Sequence, residues 1–166
     1  MIFRPNIKLD KITDISVEIL KKYNIDSLVL DVDNTLSTHH GQVLTDGLLD
    51  WLNGMRQNNI KLLILSNSNS ERVDPFAKKI DLDYISLGLK PLPFGYLRAL
   101  KKLNSKRKNT AIVGDQIFTD VIGGNFVGVK TIWLTPIEPE PMLSFRIRRK
   151  LEAYFIKLLK ITNTEV

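Results

Sequence analysis

Short apolar runs alternate along this chain with segments of helical periodicity. Such a rhythm predicts an α/β architecture, in which a central parallel sheet of about five strands carries helices on both faces. The predicted strands are Ser27–Val32, Ile60–Leu65, Tyr84–Leu87, Asn109–Asp115 and Val129–Leu134. The predicted helices are Ile12–Tyr23, Asp46–Asn58, Glu71–Lys79, Phe94–Leu103 and Asp120–Val127, with a further helix after the Pro-rich "TPIEPEPM" at about 143–161.

Length and composition fit a single domain over residues 1–166, with its core at about 24–135. The chain has 166 residues, of which 43% are hydrophobic and 25% charged, as in ordinary globular proteins. It has no cysteine, which excludes disulfides and thiolate metal sites. The stretch "MIFRPNIKLDK" has no apolar segment of signal-peptide length, and no run approaches the roughly 20 apolar residues of a membrane span. We therefore expect a cytoplasmic protein.

Polar residues that could bind ligands or take part in catalysis follow the predicted strands at the points where these strands end. In open α/β sheets, ligands bind outside the carboxyl ends of the strands, so residues that are distant in sequence meet there. The residues in question are Asp31 and Asp33 after the first predicted strand, Ser66 and Asn67 after the second, Lys90 after the third and Asp115 after the fourth.

Three carboxylates, a lysine and a hydroxyl at one sheet edge can hold Mg²⁺ and a phosphate group together. Mg²⁺ takes hard oxygen ligands and usually keeps several waters. A carboxylate can also attack phosphorus to form an aspartyl-phosphate, while a second carboxylate moves protons. A lysine and a metal ion then offset the concentration of negative charge. Taken alone, Asp31 and Asp33 could be turn or capping residues, but their combination with Ser66, Lys90 and Asp115 favours phosphoryl chemistry.

Four segments resemble, in order, the four motifs of haloacid dehalogenase-like phosphatases. They are "DVDNTL", "LSNS", "KP" and "GDQIFTD", which begin at Asp31, Leu65, Lys90 and Gly114. The longer segments "VGDQIFTDVIGGN" and "FRIRRKLEAYFIKLLK" are similar to the YqeG-like family of subclass IIIA, which is akin to mitochondrial-type phosphatidylglycerophosphate phosphatases. The resemblance implies a Rossmann-like fold, Mg²⁺ as cofactor and a phosphate monoester as substrate, with phosphatidylglycerophosphate as the first candidate.

The resemblance also implies a role for each acid in the first and last motifs. Asp31 would be the nucleophile and a metal ligand. Asp33 would be the general acid/base and would give its backbone carbonyl to Mg²⁺, which Asp115 would also bind. Asp120 would orient Lys90 or bind the metal through water, although a capping role for Asp120 is the competing interpretation.

The remaining motif residues would bind phosphate or shape the loops. By the same resemblance, Ser66 and the backbone amide of Asn67 would hold phosphoryl oxygens, and Lys90 would neutralise both the nucleophile and the phosphate. The supporting residues would be Asn34 and Thr35, which shape the first loop, together with Gly114 and Asp120. A simpler interpretation of Gly114, Gly123 and Gly124 is that they permit tight turns.

Three features bear on the substrate. The intervals between Leu36 and the second strand, and between Asn67 and Lys90, are too short for a cap domain of typical size. The resemblance therefore implies an enzyme without a cap, whose open cleft suits bulky substrates. Phe126 stands where YqeG-like proteins commonly carry an arginine, and the loop with His39 and His40 departs from the usual family sequence. We interpret these two histidines as an exposed loop rather than a transition-metal site.

The predicted helix at 143–161 is basic and amphipathic. Between Arg146 and Lys160 the sequence has six basic residues and one acid, which accounts for +5 of the net charge of +6. Such a helix can lie on an anionic membrane surface, which would make the protein peripheral at the inner membrane face, or it can pack on the sheet.

Two other functions remain open at the level of sequence. The same chemistry could act on a soluble, nucleic-acid or protein phosphate. Alternatively, the chain could be a binding protein for RNA, ribosomes or membranes with vestigial activity, because RNA is as anionic as a lipid surface. Oligomeric state is not encoded in any recognisable pattern.

Overall fold

Six parallel strands form one sheet in the order β1–β6–β5–β2–β3–β4. The computed structural model describes residues 2–38 and 43–138, together with residues 150, 151 and 154. The strands are β1 (Ile7–Leu9), β2 (Ser27–Leu30), β3 (Lys61–Leu65), β4 (Tyr84–Ile85), β5 (Thr110–Gly114) and β6 (Lys130–Leu134). The prediction of a Rossmann-like α/β fold is confirmed, with six strands rather than about five.

The additional strand is β1, at the edge of the sheet beside β6. Ile7, Lys8 and Leu9 pair with Ile132, Trp133 and Leu134. Side chains secure this edge, because the Asn6 Oδ1 accepts a hydrogen bond of 2.8 Å from the backbone N–H of Thr131. Three residues of ordinary composition carry no detectable strand periodicity, so sequence analysis missed this strand.

Helices cover both faces of the sheet, as predicted. Strand residues alternate between the two faces, so Leu28 and Leu30 lie in one hydrophobic cluster and Val29 lies in the other. One face carries α1 (Val17–Lys22), α2 (Leu48–Gln57) and α3 (Ser70–Lys79); the other carries α4 (Pro93–Leu103) and α5 (Ile122–Val127). A π-helical turn at Ile117–Val121 leads directly into α5.

The first predicted helix, Ile12–Tyr23, is divided in two. Ile12–Asp14 form a 3-10 turn, Ile15 is extended, and α1 begins only after Ser16. The Ser16 side chain accepts a hydrogen bond from the Ile19 N–H and thereby caps α1. Ser16, a good capping residue in the middle of the helical pattern, thus separates the 3-10 turn from α1.

Two sequence predictions lie outside the described residues. The loop with His39 and His40 is one of them. The basic helix at 143–161 is the other, apart from Lys150, Leu151 and Tyr154, which are helical. Within the described part of the chain, no helix has the length and apolar character needed to cross a bilayer.

Candidate active site

The carboxyl end of β2 turns sharply and carries Asp31 and Asp33 to the sheet edge. The carbonyl of Val32 accepts hydrogen bonds from the backbone N–H groups of Thr35, Leu36 and Ser37 at 3.2, 2.9 and 3.1 Å. Asn34 adopts a left-handed conformation with φ of 58°, which asparagine tolerates better than most residues. Three backbone N–H groups of the loop therefore converge on one carbonyl oxygen, and Asn34 and Thr35 lie where the turn was predicted.

Lys90 joins two buried carboxylates. Its Nζ lies 2.5 Å from Asp31 Oδ1 and 2.7 Å from Asp120 Oδ1. All three residues are buried, and Lys90 comes from the segment after β4, whereas Asp31 follows β2. Three segments that are distant in sequence thus meet in one charged cluster, with an excess of negative charge.

Burial and mutual charge shift the ionisation of this cluster. Burial raises the pKa of Asp31 to about 7; the adjacent Lys90 ammonium opposes this shift, and the Asp120 carboxylate adds to it. Burial alone would lower the pKa of Lys90, but Asp120 and Asp31 hold it above its ordinary value. Lys90 therefore stays positive at neutral pH, while Asp31 is poised to receive another positive group.

The segment that carries Lys90 is fixed by Asn67. The Asn67 Oδ1 accepts a hydrogen bond of 2.7 Å from the Lys90 N–H, and its Nδ2 donates one of 3.1 Å to the Lys90 carbonyl. Ser66 is buried beside it at the end of β3, and its Oγ accepts a hydrogen bond of 3.1 Å from the Ser68 N–H. The side chain of Asn67 thus positions Lys90, a role that sequence analysis did not assign to it.

Asp115 completes an acidic triad. Carboxylate oxygens of Asp31, Asp115 and Asp120 all lie within 4.8 Å of one another, and all three residues are buried. Buried carboxylates without bound cations are costly, and oxygen ligands in this number suit Mg²⁺. The residues therefore fit the predicted metal, with Asp120 in the triad alongside Asp31 and Asp115. The carboxylate of Asp33 is directed elsewhere.

Arg72 binds the Asp33 carboxylate. Its Nη2 forms an ion pair with Asp33 Oδ1, and both side chains are partly exposed. Arg72 lies in the first turn of α3, whose start is capped by the Asn69 side chain. Sequence analysis missed Arg72. It is distant from Asp33 in sequence, and the two residues meet only in the folded structure.

Three glycines in and just after the fourth motif provide clearance rather than turns, which corrects the sequence interpretation. A Cβ on Gly114 would lie 2.3 Å from the Asp120 carboxyl carbon. A Cβ on Gly123 would lie 2.2 Å from the Tyr96 hydroxyl, and one on Gly124 would lie 2.4 Å from a methyl of Ile112. Only a hydrogen fits at each position, and at Gly114 this allows Asp120 to approach the site.

Comparison with known proteins assigns the family. Residues 26–128 match the family model "haloacid dehalogenase-like hydrolase". The chain belongs to this family. It is 32% identical over 158 residues to a Bacillus subtilis protein named "Probable phosphatase YqeG", covering 95% of this chain and 92% of the relative.

Solved structures show the same fold. A 4-nitrophenylphosphatase from Thermotoga maritima matches with a TM-score of 0.60 at 13% identity, over 71% of this chain and 88% of that one. An uncharacterized protein from Listeria monocytogenes serotype 4b matches with a TM-score of 0.58 at 20% identity, over 82% and 100%. The prediction of a phosphatase-type enzyme in this family is confirmed. Phosphatases of the family use Mg²⁺, the ion that the acidic triad fits.

Proposed function

We propose that this chain is a Mg²⁺-dependent phosphatase that hydrolyses phosphate monoesters through an aspartyl-phosphate on Asp31, with phosphatidylglycerophosphate as its substrate. The observation that carries the reaction is the cluster in which Lys90 bridges buried Asp31 and Asp120 beside Asp115. The remaining residues act around this cluster at the carboxyl ends of β2, β3 and β5.

Asp31 performs the first step as nucleophile. One of its carboxylate oxygens attacks the phosphorus, the bond between phosphorus and the ester oxygen breaks, and the leaving alkoxide takes a proton from Asp33. Lys90 offsets the negative charge of both partners, since it already contacts Asp31. The Ser66 hydroxyl and the Asn67 N–H donate hydrogen bonds to the phosphoryl oxygens.

Asp33 performs the second step as base. Its carboxylate takes a proton from water, the resulting hydroxide attacks the phosphorus, and the bond between phosphorus and Asp31 breaks to release inorganic phosphate. The ion pair with Arg72 holds the Asp33 carboxylate in one orientation. Arg72 thus acts as a positioning residue.

Asp31, Asp115 and Asp120 would hold Mg²⁺, with the backbone carbonyl of Asp33 as a further ligand. When bound, the ion neutralises negative charge on the transferring phosphoryl group. The three carboxylates repel one another without it, and Lys90 alone offsets only part of their charge.

Mg²⁺ is expected to stabilise the fold through Asp115. At a concentration about 100-fold above its dissociation constant, it should raise the melting temperature by roughly 5–10 °C. Asp115→Asn should lose most of this increase, whereas Asp83→Asn, an exposed control near β4, should keep it. Differential scanning fluorimetry with and without Mg²⁺ makes the comparison, and an equal increase in Asp115→Asn would remove the triad as the metal site.

The lipid substrate is supported by three observations. The chain shares 32% identity with YqeG over nearly its whole length. The motif resemblance described under Sequence analysis implies kinship with phosphatidylglycerophosphate phosphatases. Among the described residues between Leu36 and β3 there is only α2, and between Asn67 and Lys90 only α3 and β4, so neither interval contains a cap domain. The sequence at 143–161 is strongly basic, as suits a protein at the inner membrane face.

Phosphate release in the presence of Mg²⁺ tests the substrate. Phosphatidylglycerophosphate in anionic vesicles is compared with soluble sugar, nucleotide and protein phosphates and with a phosphorylated nucleic-acid end. We expect lipid turnover to exceed that of every soluble substrate by at least about 100-fold in kcat/KM, since remote binding energy adds to transition-state binding. A higher rate on a soluble monoester would retain the mechanism and discard the lipid, and salt-dependent RNA binding without turnover would favour the binding protein.

A further inference from the structure

Five large apolar side chains are exposed around Lys90. Leu87, Leu89, Leu92 and Phe94 expose between 51% and 59% of their surface, and Leu97 exposes 41%. We call these five residues the apolar rim. Isolated exposed leucines are common in proteins, but five within 11 consecutive positions next to a site lysine form a patch, and such patches mark interaction surfaces.

Two of the rim residues occupy backbone conformations that do not favour leucine. Leu87 has φ of 47° and Leu89 has φ of 54°, in the left-handed region where glycine and asparagine are preferred. Their side chains gain little from burial, so neither folding nor packing explains a leucine there. Backbone strain that stability does not require is characteristic of functional segments.

Backbone contacts hold the loop and helix segments of the apolar rim together. The N–H groups of Leu87 and Gly88 donate to the carbonyls of Ser68 and Ser66 at 2.9 and 2.8 Å, which ties the loop to the end of β3. The first turn of α4 packs directly on this loop, because a Cβ on Gly95 would lie only 2.2 Å from the Gly88 carbonyl oxygen. The patch therefore exists before any partner binds.

Basic residues continue the apolar rim along α4. Phe94, Leu97, Arg98 and Lys101 follow the i, i+3, i+4, i+7 spacing of one helical face, so this face changes from apolar near Lys90 to basic further on. Arg98 also donates to the Leu87 carbonyl at 3.1 Å. Between Tyr84 and Gly114 the sequence has seven basic residues and no acid, and the preceding Asp83 is paired with Lys102.

We propose that the apolar rim docks on an anionic lipid surface and presents the site to it. Apolar side chains flanked by lysine and arginine match the acyl boundary and the charged headgroups of such a surface, whereas a bare apolar partner would leave the basic face unused. This inference rests on the proposed lipid phosphatase function. It also assigns membrane contact to residues 87–101 instead of relying on the basic sequence at 143–161.

Vesicle sedimentation tests the docking surface with the full chain. Vesicles of phosphatidylglycerol and phosphatidylcholine in equal parts are compared with pure phosphatidylcholine. The double variant Leu89→Asn/Phe94→Ser should bind the anionic vesicles about tenfold more weakly, from the lost apolar burial. Lys101→Gln should weaken binding about fivefold, and more so at low salt.

Controls separate docking from folding and catalysis. Leu49→Ser removes an equally exposed leucine from α2, on the opposite face of the sheet, and should bind as the wild type does. Leu89→Asn alone should keep or raise the melting temperature, because asparagine tolerates the left-handed conformation. Asp31→Asn should still bind vesicles, so that a failure of catalysis and a failure of docking remain distinct.

Unchanged vesicle binding in Leu89→Asn/Phe94→Ser would overturn the proposal and would place membrane contact elsewhere in the chain. A wild-type dimer that the same substitutions dissociate, without vesicle binding, would also overturn it and would assign the apolar rim to a second copy. If this double variant binds vesicles and hydrolyses the lipid as the wild type does, the docking proposal fails but the proposed phosphatase function stands.

Discussion

Asp31→Asn is expected to reduce phosphate release by at least about 10⁴-fold, with the fold retained. An amide at this position cannot attack phosphorus, and the neighbouring carboxylate of Asp33 is paired with Arg72. Asparagine has nearly the size of aspartate, so packing is preserved. Turnover of 4-nitrophenyl phosphate and of the lipid, with Mg²⁺ present, makes the comparison.

Thermal unfolding of the same variant controls for folding. Burial raises the pKa of Asp31 to about 7, which means that its negative charge destabilises the metal-free protein. The substitution removes this charge. Lys90 also keeps its contact of 2.7 Å with Asp120. We therefore expect a metal-free melting temperature close to that of the wild type. Residual activity above about 1% in the folded variant would exclude Asp31 as the nucleophile.

Lys90→Met is expected to destabilise the metal-free protein by about 3–5 kcal/mol, the usual effect of breaking a buried ion pair. Asp31 and Asp120 would then face each other without the ammonium group that separates them. Because the pKa of Lys90 is raised in the folded state, its contribution is fully present at neutral pH and disappears only in strong base. Denaturant unfolding at neutral pH measures the loss.

A second substitution identifies the cause. Lys90→Met/Asp120→Asn removes one of the two repelling carboxylates and should recover at least about 1 kcal/mol relative to Lys90→Met alone. Lys101→Met, on the exposed face of α4, is the matched control and should change the free energy of unfolding by less than about 0.5 kcal/mol. If Lys90→Met changed the free energy of unfolding by an equally small amount, the ion pairs of Lys90 would not stabilise the cluster.

The order of elements and the location of the site could be predicted from the sequence because both depend on local patterns. Short apolar runs mark β3 and β5, and polar residues directly follow both strands. Parallel strands then bring Asp31, Ser66 and Asp115 to one edge, whatever the strand order. The position of Lys90 after the third predicted strand marked it in the same way, and the resemblance in four motifs added Asp120, which lies farther from a strand end.

Features that depend on tertiary contacts could not be predicted. β1 is only three residues long and is defined by its pairing with β6, not by its own periodicity. Arg72 is one of several basic residues in the sequence of α3 until the fold places it against Asp33. The close approach of Asp120 to Gly114 depends on packing in the folded protein. In the sequence alone, a glycine at this position is equally consistent with a turn. The exposure of Leu87 and Leu89 likewise follows from backbone conformations that the sequence does not favour.

Trapping the covalent intermediate tests directly whether Asp31 is the nucleophile. In Asp33→Asn the first step remains open with 4-nitrophenyl phosphate, because its leaving group needs no proton, whereas the second step lacks its base. Acid quenching followed by mass spectrometry of the peptide spanning residues 28–38 should find one phosphoryl group on Asp31. A phosphoryl group on another residue, or a burst of 4-nitrophenol with unmodified Asp31, would contradict the mechanism.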